Sequence, residues 1–153
     1  MRNDNDYEGT FTYKGEGYSL TVPNSYTDSE ADGSVVLANS MHGALIALSA
    51  SPSPLSTNRT EDLKKAVQSV QASAAKQDGV TITEKTWIHN VGKMTCAEFQ
   101  YYQTQDTSTY YTRVIIGQHQ GKLYTFMISV NEMFYSDMVK KEVDEIVNSI
   151  VFE

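Results

Sequence analysis

The sequence predicts an α+β protein in which an antiparallel β-sheet is sandwiched between helices. Three observations lead there. Apolar residues alternate with polar ones along most of the chain, the period of half-buried strands. Short turn-forming separators join successive strands, which forces neighbours to run antiparallel. Two segments switch to a helical period with a single apolar stripe, and each stripe needs sheet surface to cover.

From 10 to 54 the pattern is strand-like. In TFTYKGEGYSLTVP, Phe11 and Tyr13, then Tyr18, Leu20 and Val22, alternate across a Gly15-Glu16-Gly17 turn and predict a hairpin. Pro23 cannot donate to a ladder and ends the second strand, so NSYTDSEADGS is expected to be a loop. SVVLANS and ALIALSAS read as two further strands, the second stopping at PSPL.

Leu63, Ala66, Val67, Val70 and Ala74 share one helical face, predicting a helix over residues 60–77. Thr60 is expected to cap it, Glu61 and Asp62 suit the positive end of its dipole, and Gly79 serves as the exit residue. Four strands follow, VTITEKTWIHN, KMTCAEFQYYQ, TYYTRVIIGQH and KLYTFMISV, separated by VG, QDTS and QG. Val139, Val143, Ile146, Val147 and Ile150 then place a second helix over about residues 135–149. Consecutive apolar residues in VIIG and FMISV predict central strands buried on both faces, with a helix on each side. Residues 1–9 read as a polar tail or linker and 10–153 as a single domain.

A chain of 153 residues buries about 68–70% of its unfolded surface and needs no disulfide or metal to fold. The formal net charge of -7 repels phosphate backbones and anionic headgroups, so nucleic acid and membrane surface are poor partners. The single cysteine, Cys96, sits mid-strand and reads as a small buried apolar residue. No apolar run approaches the ~20 residues of a membrane-spanning helix. MRNDNDYEG lacks the order of a signal peptide, and its Asn/Asp-rich composition resembles the linker that follows an export signal or lipid anchor. The expectation is an extracytoplasmic protein, lipoprotein or secreted, whose precursor carries that signal upstream.

With YSLTVPNSY early, one helix after four strands, four strands more, then GKLYTFMISV and a terminal helix closing in VNSIVF, the chain resembles the PsbP-like superfamily from 10 to 152. That superfamily includes photosystem II extrinsic proteins, a eukaryotic Ran-binding nucleotide-release factor and bacterial lipoproteins, DcrB-like proteins among them. Tyr26 stands where many bacterial members carry tryptophan. The resemblance implies an antiparallel sheet between helices and a binding or assembly role, with no catalytic residue to carry over. The expected function is thus that of a noncatalytic binding or assembly protein of an exported bacterial family, with another protein as partner. The alternative is an enzyme or carrier acting on a small ligand in a surface cleft.

His42, His89 and His119 are scattered, without the spacing of metal ligands. No nucleophile elbow and no phosphate-cradling glycine loop occurs, so no catalytic or cofactor residue is assigned. DSEADG imitates the alternating oxygen ligands of a calcium loop through Asp28, Glu30 and Asp32 before Gly33. Asn39 stands where the bidentate glutamate belongs, so the expectation is an acidic turn that holds calcium weakly if at all.

YYQTQDTSTYYTR sets two tyrosine doublets around Asp106. A hairpin centred there puts Tyr101 opposite Tyr111, Tyr102 opposite Tyr110 and Phe99 opposite Arg113. Packing of these pairs accounts for the pattern. The functional alternative gives Tyr102 and Tyr110, near the tip, to a protein partner.

Overall fold

The computed structural model describes residues 9–31, 34–53, 55 and 59–153. In chain order the elements are β1 (Thr10–Lys14), β2 (Tyr18–Pro23), β3 (Thr27–Ala31), β4 (Ser34–Asn39), β5 (Ala44–Pro52), α1 (Thr60–Ala75), β6 (Val80–Val91), β7 (Met94–Gln105), β8 (Ser108–His119) and β9 (Lys122–Asn131). A 3-10 turn (Glu132–Phe134), α2 (Asp137–Asn148) and β10 (Val151–Phe152) complete the chain.

Seven strands form one antiparallel sheet in the order β3-β4-β5-β9-β8-β7-β6, and three form a second, β1-β2-β10. One face of the large sheet carries Leu37, Ile46, Ile115, Phe126 and Ile128. α2, through Val139, Val143, Ile146 and Val147, and the small sheet, through Tyr18, Leu20 and Val22, cover it together. The opposite face packs Ala97, Phe99, Val114 and Ile116 against Leu63 and Val67 of α1. A helix therefore lies on each side of the sheet, as the doubly apolar VIIG and FMISV require.

Four local expectations need correction. NSYTDSEADGS is not all loop, because Thr27–Ala31 pairs with β4 as an edge strand. Edge backbone needs only one neighbour, and an exposed face tolerates TDSEA without apolar alternation. Asp32 and Gly33 lie outside the described residues. Thr60 does not cap α1, since it is already helical; Arg59 stands at the N-cap with no side-chain cap bond. α2 begins at Asp137, two residues later than expected, because the Ser136 hydroxyl accepts the Val139 N–H at 3.3 Å. The two-residue β10, which pairs with β2 through Val151 opposite Ser19, is too short to show any period.

The fifth correction concerns the β7–β8 hairpin. Gln105 pairs with Ser108, leaving a two-residue turn of Asp106 and Thr107, with Asp106 at φ 54. Tyr102 therefore faces Tyr111, Tyr101 faces Thr112, Gln103 faces Tyr110 and Phe99 faces Val114. A shift of one residue moves a strand's side chains to the other face. Tyr102 and Tyr110 consequently lie on opposite faces of the sheet, and Arg113 turns away from Phe99 toward α2.

Candidate functional site

Large apolar side chains left in water are informative when they gather in one place. Five of the nine such residues among those described, Met41, Met133, Phe134, Tyr135 and Met138, belong to the β4–β5 turn, the segment between β9 and α2, and the first turn of α2. Met133 is 86% exposed, Met138 66% and Met41 61%. The β4–β5 turn is tied to the end of β9 by Asn131 N–H donating to the Gly43 carbonyl at 2.9 Å. Gly43, at φ +59, also makes room for Phe134, whose ring would lie 2.6 Å from a Cβ there. Asn131 folds the chain away from β9 by accepting the Met133 N–H on its side-chain oxygen at 3.0 Å.

A second clasp holds this apex to the helix. His42 Nδ1 lies 2.9 Å from Glu142 Oε2, and the Tyr26 hydroxyl donates to the same oxygen at 3.3 Å. Asn39, buried at the end of β4, accepts the backbone N–H groups of Met41 and His42 and shapes the turn. Burial and then Glu142 raise the pKa of the Tyr26 phenol well above its usual range. This hydroxyl stays protonated and works as a hydrogen-bond donor.

Beneath the apex Tyr135 packs on Tyr111 with ring centroids 4.8 Å apart, and Tyr111 meets Tyr102 edge-on at 6.2 Å. The cavity beside them, lined by Tyr111, Arg113, Tyr135, Lys140 and Asp144 among others, is about 100 Å³. Small-molecule sites run to roughly 300–1,000 Å³, so this space suits a single partner side chain better than a substrate.

Next to that cavity lies a buried polar network centred on Glu98, which is 0% exposed. Arg113 donates Nε to Oε2 at 2.8 Å and Nη2 to Oε1 at 3.1 Å, and its Nη1 reaches Asp144 of α2 at 2.8 Å. His89 Nε2 lies 2.8 Å from Oε1, and Gln100 Nε2 donates to Oε2 at 2.8 Å. With both oxygens engaged and no exposure, Glu98 is a tie between β7, β8 and α2 rather than an available base. His89 also stacks on Trp87 at 5.3 Å. Cys96 is fully buried, and burial, helped by Glu98, pushes its thiol up to about 12. A thiol held protonated is a poor nucleophile.

The family model described as PsbP matches residues 8–152. The chain belongs to the PsbP family. Among solved structures of similar fold, cyanobacterial PsbP from Synechocystis sp. PCC 6803 has a TM-score of 0.72 at 16% identity, covering 100% of this chain and 98% of that one. A protein from Bacteroides thetaiotaomicron reaches 0.65 at 13% identity over 96% of this chain, which spans only 49% of the Bacteroides protein. LpqN of Mycobacterium tuberculosis, involved in cell envelope biogenesis, reaches 0.56 at 12% identity, covering 94% of this chain and 90% of that one. Likeness at these identities speaks for the fold alone. No curated protein matches the sequence.

Within this PsbP-family fold the residues singled out from sequence are dispersed. Asp28 and Glu30 lie on β3, opposite Leu37 and Val35. Asp32 is outside the described residues, and among those described no three His, Cys, Asp or Glu side chains converge as metal ligands. Tyr110 is exposed on the α1 side, opposite Asn131, while Tyr102 is half-buried behind Tyr111. The segment EMFYSDM, which sequence reasoning left unused, supplies most of the apex. Its signal was legible: Met133 and Met138 fall off the apolar stripe of α2 and stay largely exposed.

Proposed function

We propose that this PsbP-family chain is a noncatalytic binding or assembly protein working outside the cytoplasm, and that it holds a protein partner against the methionine and aromatic apex. The observation that carries this reading is the concentration of Met41, Met133, Phe134, Tyr135 and Met138 on one exposed end. Unbranched methionines repack to fit a partner, and Tyr135, its ring tilted against that of Tyr111, offers a rigid anchor. Glu132 and Asp137, both exposed, flank the apolar patch, so the partner is an apolar segment bordered by basic residues. Tyr110 extends the surface at the same end of the sheet, and Tyr102 acts by backing Tyr111.

An extracytoplasmic site accords with the polar N-terminal stretch, residues 1–9 serving as linker to an upstream export signal or lipid anchor and 10–153 as one domain. The involvement of the similarly folded LpqN in cell envelope biogenesis supports the same setting. No helix among the described residues is long and apolar enough to cross a membrane.

The experiment is affinity capture from envelope extracts with the wild-type chain and with Met133→Ser/Met138→Ser. The reading expects a defined protein recovered by the wild type and lost with the variant, and recovery of the native chain in the envelope fraction. Equal recovery by both chains, or residence of the native chain in the cytosol, overturns the corresponding half.

A further inference from the structure

At the end of β4 and β5 remote from the apex, the first hairpin and the large sheet do not close on each other. The cleft between them measures about 550 Å³, within the roughly 300–1,000 Å³ of small-molecule sites. Val35, Leu48 and Ala50 line its apolar side, and Tyr13, Tyr18 and Glu30 its polar side.

Tyr18 is the informative residue. It is 4% exposed, with its ring set edge-on against Tyr124 and Phe126 at centroid distances of 5.7 and 5.5 Å. Its hydroxyl has no hydrogen-bond partner among the described residues, yet no side-chain nitrogen or oxygen there is both sealed from solvent and unpartnered. The hydroxyl therefore keeps some access to solvent, and Tyr18 lines the cleft. Gly15 makes this possible, because a Cβ at that position would collide with the tip of the Tyr18 ring.

The charges point to the sign of the ligand. Glu30 makes no ion pair among the described residues, whereas Glu16 at the rim is held by Lys122 Nζ at 3.2 Å. Lys14 also borders the cleft, but it is exposed where Tyr13 is half-buried, and the strand's alternation sets its side chain on the opposite face from Tyr13. We propose that the cleft binds an alkylammonium ligand, its three N–H donors meeting the Glu30 carboxylate and the Tyr13 and Tyr18 hydroxyls while the alkyl chain lies along Val35, Leu48 and Ala50. Burial and then the charges of Glu30 and Asp28 raise the pKa of Tyr13, which is consistent with a negative field in this space. One carboxylate with two phenols satisfies an ammonium but falls short of the 6–8 oxygens of calcium.

The probe is n-hexylamine hydrochloride, titrated calorimetrically and by NMR at fixed ionic strength, with n-hexanol and hexanoate as controls. The expected result is saturable one-to-one binding of the amine alone, weakened at least about tenfold by Glu30→Gln and several-fold by Tyr18→Phe, which keeps the ring packing. Glu30 is on an exposed edge strand, so Glu30→Gln remains a test even where Tyr18→Phe disturbs the fold. Absence of saturable binding, equal binding of hexanol, unchanged affinity in Glu30→Gln, or preference for calcium over the amine would overturn the proposal.

Discussion

Arg113 grips Glu98 with two nitrogens, Nε to Oε2 at 2.8 Å and Nη2 to Oε1 at 3.1 Å, at a point where the carboxylate has no access to water. Burial acts to lower the pKa of the guanidinium, but the bonds and charges of Glu98 and Asp144 outweigh it and the net shift is upward. Removing either partner strands a buried charge. Arg113→Ala is expected to cost about 3–5 kcal/mol in denaturant unfolding. Arg113→Lys should recover only part of this, because an ammonium cannot reproduce the two-pronged contact. Full stability in Arg113→Ala would contradict the assignment of Glu98 as a structural tie.

The β7–β8 turn predicts a different sensitivity. Asp106 sits at φ 54, in the left-handed region that aspartate tolerates and β-branched residues resist. Asp106→Gly should leave stability within about 0.5 kcal/mol, and Asp106→Val should lower it by about 1–2 kcal/mol. Thermal melts of the two variants check this. An equally stable Asp106→Val protein would argue for another turn and register.

Cys96 and Tyr18 set an alkaline limit. Burial, before other causes, raises Cys96 from 9.0 to about 12 and Tyr18 from 10.0 to about 12. Both are neutral when protonated, so the folded chain holds these protons more tightly than the unfolded one. Their contribution is complete below about pH 9 and is lost as pH rises from there through about 12. Stability should fall over that window, and less steeply in Cys96→Ala. Thiol reagents at neutral pH should leave Cys96 unmodified until the chain unfolds. Rapid native labelling would contradict its burial.

Much of this architecture is legible in the sequence, for identifiable reasons. Val139, Val143, Ile146 and Val147 recur at helical spacing, and each is buried. Phe126, Ile128 and Val130 alternate with Met127, which faces the other layer, so a strand clothed on both sides could be read directly. The losses occur where backbone pairing outruns side-chain pattern. β3 has polar side chains because it is an edge, and β10 has only two residues. The tyrosine hairpin was misread by one position because its doublets look symmetric about Asp106, whereas the two-residue turn centres the pairing between Asp106 and Thr107. That slip also hid the network, since it placed Arg113 opposite Phe99 instead of on the Glu98 face. A glutamate between Ala97 and Phe99, both fully buried, was the available clue, because such a charge requires a partner.

The residues of the apex separate binding from folding. Met133 and Met138 are too exposed to contribute much packing, so Met133→Ser/Met138→Ser should melt within about 0.5 kcal/mol of the wild type. The decisive measurement is the affinity of the captured partner for that variant, set beside a Val70→Ser variant altered at an exposed site on α1. The account predicts at least about tenfold weaker binding for the apex variant and no change for Val70→Ser. Wild-type affinity in a folded apex variant would contradict it.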